Sequence, residues 1–361
     1  MIIKPQPYDC VIYLLQGGGA LGAYQVGVCE SLMQNHYAPD WLIGTSIGGI
    51  NAAIIAGNEP AVRIEKLKAF WKKISTPSLS NDFSDNIRLH KWQNFLASES
   101  AILYGQPGFY KLRLPSPFLS MANGPDNISF YDTSELRATL EEFIDFNLIN
   151  QQKVRLTLSA VCVEDGTLVS FDNTEQEIGP EHIMAASALP PGFPAIKIGD
   201  NHYWDGGISC NTPLKIIFEE KVPRKLLCFM VDLFSRKETQ PTTMMEVLKR
   251  KKDLEFASQY QEILKYFSEM HKLRHIIHEI TKDKVDLDFE DVTIGHPCAL
   301  NIIRFHYRDS EADLWTKDFE FSERSIRQRL LAGASDVKKL FDDPLPLEVI
   351  ADDSGFTLHD F

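Results

Sequence analysis

The chain has 361 residues, room for one large domain or a domain with an extension, and 37 Lys/Arg against 50 Asp/Glu give it a net charge of −13. That charge excludes a global attraction to nucleic acid, and 22 Phe, 11 Tyr and 5 Trp exclude a wholly disordered chain. Residues 342–361 carry six carboxylates and no Lys or Arg, an acidic tail. Six scattered cysteines with no CxxC pair point to buried reduced thiols and a cytoplasmic setting. Met1–Asp9 lacks the apolar h-region of a secretory signal, and no run reaches the roughly 18 apolar residues of a spanning helix.

Cys10–Leu15 reads as a β-rich run ending in three glycines, and apolar residues recur at helical spacing from Ala20 to Gln34. A short strand at Trp41–Ile43 and helices over 51–56 and 61–74 follow. Strand, helix, strand, helix within 75 residues is the pattern of a parallel sheet covered by helices. Residues 75–130 interleave Pro, Ser, Asn and aromatics without period, the texture of a lid over a site or of a small packed cap. A helix over 134–146, a strand over 154–163, a short helix over 180–187 and a buried strand over 226–233 complete the series. A boundary falls near 236, and 236–361 reads as a helical extension ending in the acidic tail. Its 244–281 segment repeats apolar residues from Leu254 to Ile280 at three- and four-residue steps. This stripe is expected to pack on protein, within the chain or across a homodimer. The basic run Lys249–Lys252 supplies the rival reading of peripheral contact with an anionic bilayer.

Three constellations could carry chemistry. Gly17-Gly18-Gly19-Ala20-Leu21-Gly22 lies between a strand and a helix, where free backbone amides and the helix dipole favour negative charge. It also fits the dinucleotide fingerprint, but that site needs an acid at the end of the second strand. Asp40 stands before that strand instead, so the cofactor reading is rejected. Gly44-Thr-Ser46-Ile-Gly48 is a G-x-S-x-G at the next strand-to-helix junction, the pattern of a turn that lifts a serine hydroxyl clear of the sheet. In a parallel sheet both loops emerge at one edge, so the Gly17–Gly19 amides can face Ser46 and form an oxyanion hole beside a nucleophile. Trp204-Asp205-Gly206-Gly207 is the third. His202, His296 and His306 stand in no catalytic setting, which leaves Asp205 as the better base, although alone it reads equally as an Asp-Gly turn. No metal-ligand spacing is present.

In this order the three motifs resemble the patatin-like phospholipases, over about residues 8–235. The resemblance implies a three-layer α/β/α fold with a mostly parallel sheet, with Ser46 as nucleophile, Asp205 as proton acceptor and the amides of Gly17, Gly18 and Gly19 as oxyanion hole. Gly22, Gly44, Gly48, Gly206 and Gly207 support these motifs. Ala186–Pro191 looks like the family segment preceding the D-G-G strand, and 236–361 is similar to a helical extension of one bacterial branch. Many members carry Arg or Lys where this chain has Leu21, which weakens the case for a phospholipid headgroup. The expectation is a cofactor-independent lipid acyl hydrolase. The alternatives are an esterase on hydroxyacid oligomers, an acyltransferase, a His-assisted α/β-hydrolase, or a non-catalytic lipid-binding scaffold.

Overall fold

A computed structural model describes residues 8–78, 87–119, 124–219, 225–236, 240–257, 260–281, 299–348 and 356–361. Strand β1 (Cys10–Leu15) is buried throughout and feeds, through a 3-10 turn at Gly19–Gly22, into helix α1 (Ala23–Gln34). Strand β2 (Trp41–Gly44) and helix α2 (Ile47–Ala56) repeat the pattern, and every residue of both is buried. Helix α3 (Arg63–Lys73) turns Leu67, Phe70 and Trp71 inward and ends on Lys72 and Lys73, cations suited to a helix C-terminus.

The 75–130 stretch has regular structure where the sequence shows no period. Helix α4 (Ile87–Tyr104) is followed by a small antiparallel sheet of β3 (Gly105–Gln106), β4 (Tyr110–Leu112) and β5 (Tyr131–Asp132). Parts of the stretch, 79–86 and 120–123, lie outside the described residues. Next come α5 (Ser134–Phe143) and α6 (Phe146–Asn150), whose N-terminus is capped by the Asp145 carboxylate accepting the Asn147 and Leu148 amides. Strands β6 (Arg155–Cys162) and β7 (Leu168–Asp172), helix α7 (Pro180–Ala186), strands β8 (Ile196–Ile198) and β9 (Asn201–Asp205), helix α8 (Lys215–Phe218) and strand β10 (Lys225–Asp232) follow.

Past 236 the expected helices are present as α9 (Met244–Phe256), α10 (Tyr260–Thr281), α11 (Glu323–Asp342) and α12 (Leu345–Glu348). With them come two strands that the sequence reading did not anticipate, β11 (Ala299–His306) and β12 (Phe356–Asp360). The main sheet runs β12-β11-β10-β1-β2-β6-β9-β8, with β7 also on β6. All pairings from β12 to β6 are parallel, and only those of β7, β8 and β9 are antiparallel. The segment after 236 is therefore more than an appended set of helices.

Parallel strands need cover on both faces. Val11, Tyr13 and Leu15 of β1 join Leu227, Phe229 and Val231 of β10 in the core beneath α1, α2, α3 and α11. Ile12, Leu14, Cys228 and Met230 face a second core closed by Leu214, Ile217 and Leu264. Leu264 lies on α10, and Phe267 of the same helix stacks on Phe218 at 3.8 Å between ring centres. The stripe read across 244–281 is thus divided. It is interrupted at Ala257, which is extended, and Leu254, Met270, Leu273 and Ile280 stay exposed. The basic run is turned inward at Lys249, Arg250 and Lys252, while Lys251, paired with Glu255, stays exposed. Lys249 binds Asp309, the Arg250 guanidinium donates to the Ser235 and Arg236 carbonyls, and Lys252 binds Asp318. Among the described residues no helix is long and apolar enough to cross a membrane, and five cysteines are free.

Candidate active site

Ser46 occupies the sharp turn between β2 and α2 with φ +55° and ψ −129°, a conformation that a side-chain-bearing residue adopts only when its surroundings enforce it. Gly44 ends β2, and Gly48, in the first turn of α2, lies so close to the Leu15 carbonyl that a Cβ would overlap it. The Ser46 N–H donates to the Ala186 carbonyl at 2.8 Å, and the Asp205 N–H donates to the Ala188 carbonyl at 3.0 Å. The C-terminal end of α7 and the residues just past it therefore hold both.

Asp205 ends β9 and is fully buried. Its Oδ1 accepts the Gly207 N–H at 2.8 Å, while Oδ2 has no hydrogen-bond partner. Burial pushes its carboxyl up to about 7, against the Ser46 hydroxyl and the Gly207 N–H, which favour the carboxylate. The hydroxyl is thus within its electrostatic reach without closing a hydrogen bond of full geometry on Oδ2, as is common in sites without substrate. Gly206 backs onto Ser159 of β6, where a Cβ would overlap the serine hydroxyl.

The glycine loop faces the same point. A Cβ on Gly17 would lie 2.9 Å from the Ser46 Cβ and 2.5 Å from Asn211 Oδ1. Gly19 has φ +54° and presses on the Asp318 carbonyl, so both conformation and space demand glycine. The amides of Gly17, Gly18 and Gly19 donate to no acceptor among the described residues. A buried polar chain fixes the loop from beneath. Gln16 accepts the Leu233 and Phe234 amides on Oε1 and donates from Nε2 to Thr212 and to the Phe256 carbonyl. The Gln16 carbonyl accepts Gln25 Nε2, Gln25 Oε1 accepts Asn51 Nδ2, and Asn51 Oδ1 accepts the Trp71 indole N–H. Gly22, at the end of the 3-10 turn, gives its carbonyl to the same Asn51 Nδ2. Every member is satisfied, which makes such a network rigid.

These groups open into one cavity. Phe109, Tyr110, Phe193, Phe234, Phe256, Phe319 and Phe321 line it. The walls thus come from the 75–130 stretch and from the segment after 236 as well as from the sheet. Two polar lining residues escaped the sequence reading. Asn211, six residues after Asp205, donates from Nδ2 to the Gly17 and Phe256 carbonyls. Asp318 is 113 residues downstream of Asp205, and nothing local marks it. Among the described residues no histidine lines the cavity. His202 pairs with Glu164, His306 lies on β11, and His296 falls outside the described residues. Among the described residues no three His, Cys, Asp or Glu side chains converge to hold a metal ion.

The arrangement combines a strained serine, a buried carboxyl with a pKa near neutrality, and unengaged backbone amides at an apolar cavity, the parts that acyl transfer uses. Comparison with known proteins bears on the same point. Solved structures similar to this chain include VipD from Legionella pneumophila, at 13% identity and TM-score 0.39, over 94% of this chain and 69% of that one. They also include full-length ExoU, in complex with SpcU, of the Pseudomonas aeruginosa type III secretion system, at 18% identity and TM-score 0.27, over 71% and 51%. A second structure of the type III effector ExoU matches at 12% identity and TM-score 0.28, over 95% and 61%. No curated protein matches in sequence. Residues 254–349 match a family described as patatin phospholipase. Residues 13–218, more than half of the chain, match the patatin-like phospholipase family, and with its motifs gathered at one site the chain belongs to that family.

Proposed function

We propose that this hydrolase of the patatin-like family cleaves lipid acyl esters with Ser46 as nucleophile and Asp205 as its base. The Ser46 Oγ attacks the acyl carbonyl while its proton passes to the Asp205 carboxylate. The Gly17–Gly19 amides receive the negative charge on the carbonyl oxygen, the largest single stabilisation in such reactions. Collapse of the tetrahedral species expels the alcohol, which takes the proton back from Asp205. Water, activated by the same carboxylate, then releases the fatty acid. The observation that carries this reading is Asp205 beside Ser46, fully buried and with its carboxyl at about 7, a base matched to neutral pH. The aromatic walls suit an acyl chain, and the buried Phe109 and Tyr110 support a role for the 75–130 stretch in binding it.

Transfer of the acyl group to an alcohol instead of water would use the same atoms, as would hydrolysis of hydroxyacid oligomers. The inward ion pairs of Lys249 and Lys252 and the carbonyl bonds of Arg250 weigh against α9 as an anionic-membrane anchor. The free thiols support a reducing, cytoplasmic compartment. A fluorophosphonate probe tests the assignment. Wild type should be labelled and Ser46→Ala should not, and Asp205→Asn should be labelled at least about a hundredfold more slowly, the usual contribution of a general base. Equal labelling of wild type and Ser46→Ala refutes the proposal.

A further inference from the structure

Asp205 and Asp318 are the two acidic residues lining the cavity among the described residues, and no Lys or Arg lines it with them. Asp318 sits at the glycine loop, its carbonyl against Gly19. Its Oδ1 binds Lys252 Nζ at 2.6 Å, and each side chain is only 16% exposed. That ammonium also lies 5.4 Å from the Trp315 ring centre and 5.6 Å from that of Phe319, so it is enclosed by aromatic faces as well as paired. Leu21, beside the loop, is buried and adds no charge.

We infer that the Asp318–Lys252 pair makes this site select uncharged acyl esters over esters carrying an anionic headgroup. The inference rests on the hydrolase reading above. An anionic headgroup entering the cavity leaves water, meets the Asp318 carboxylate, and gains no cation that is not already held by that carboxylate. An unpaired charge in such a place is disfavoured. A glycerol or alkyl ester has no such penalty and gains the same aromatic contacts. At an effective dielectric near 20, one unit charge about 10 Å away changes affinity by roughly tenfold. Each member of the pair is thus a lever on selectivity, and the two act in opposite directions.

The experiment compares kcat/KM of the full chain on 1-octanoylglycerol and on its 3-phosphate, both monomeric, so that acyl length and scissile bond are the same. Wild type should favour the neutral ester, by less than the roughly tenfold that one uncompensated charge would give. Asp318→Asn keeps the shape, frees the Lys252 ammonium, and should narrow the ratio several-fold. Lys252→Gln leaves the carboxylate uncompensated and should widen it. A merely structural defect would depress both substrates together and leave the ratio unmoved. Equal use of the two esters by wild type, or a ratio that shifts the same way or not at all in the two variants, overturns the inference while fluorophosphonate labelling of Ser46 still stands. Absence of both labelling and turnover removes the hydrolase reading and this inference with it.

Discussion

At the scale of single residues, the buried Asp205 carboxyl ties activity to stability. Activity should rise with pH through about 7 and then level, because only the carboxylate can accept the Ser46 proton. Stability should move the other way. Its folded-state pKa is raised above the ordinary 3.8, so the stabilisation is fully present below about pH 4 and is lost as pH rises to about 7. The gap between 3.8 and about 7 corresponds to about 4 kcal/mol. Asp205→Asn should therefore be inactive, yet gain stability over wild type by up to about 4 kcal/mol between pH 4 and pH 8 in urea unfolding; a pH-independent difference would contradict this. Ser46 holds a second such cost in its backbone. Ser46→Gly, free to adopt φ +55°, should be about 1 kcal/mol more stable than Ser46→Ala, as read from denaturant midpoints. Both residues are legible in the sequence because their glycine neighbours mark tight, crowded turns. Asn211 and Asp318 carry no such mark: each matters through what the fold brings beside it.

Elements were legible where burial is apolar and periodic. Strands β1, β2, β6 and β10 and helices α1 and α3 lie close to where alternation or helical spacing put them. Helix α4 shows why others were not. Its buried positions are Asn94, Ser98 and Ala101, while Trp92, Leu96 and Leu103 point outward, so its inner face is small and polar and no hydrophobic period exists to find. Those polar residues are satisfied individually: Asn94 donates to the Ala312 carbonyl, and Ser98 bonds Thr316 at 2.7 Å. The crossing of α1 and α11 was hidden for another reason. Gly27 lies against the Leu330 carbonyl and Gly333 against the Tyr24 carbonyl, with Tyr24 donating to Asp336 at 2.7 Å. Small residues that let two backbones meet look, in sequence, like weak helix formers. Gly333→Ala should cost about 1–3 kcal/mol despite alanine's better helix propensity, because the added methyl forces the helices apart. The Gly27→Ala, Gly333→Ala double variant should cost less than the two together, since one separation relieves both overlaps. Strictly additive urea midpoints would show that the two glycines act independently.

For the molecule as a whole, the sequence suggests a divide near 236, where texture shifts from apolar alternation to charged helix, and the sheet does not respect it. Strand β10 pairs along its full length with β11, register Lys225↔Ala299 to Asp232↔His306. Composition could not reveal this, because parallel pairing joins residues with a long intervening chain and leaves no local trace. Beyond the sheet, α10 closes the second core through Leu264, and α11 reaches the turn after the glycine loop. The buried Arg329 donates to the Ala20 carbonyl at 3.2 Å and to the Lys317 and Glu320 carbonyls, tying the 3-10 turn after the glycine loop to the residues bearing Asp318. Lys317 in turn, 1% exposed, binds Asp253 of α9 and Asp309. A chain cut after Arg236 would lose all of this. It would leave β10 as an eight-residue apolar edge strand, a template for aggregation, and would remove Phe256, Asp318, Phe319 and Phe321 from the cavity. The truncated chain should therefore fail to give a cooperative unfolding transition, should bind a hydrophobic dye strongly, and should not label with fluorophosphonate. A soluble 1–236 chain that unfolds cooperatively and labels at the wild-type rate would restore the divide at 236 and make the second half an accessory.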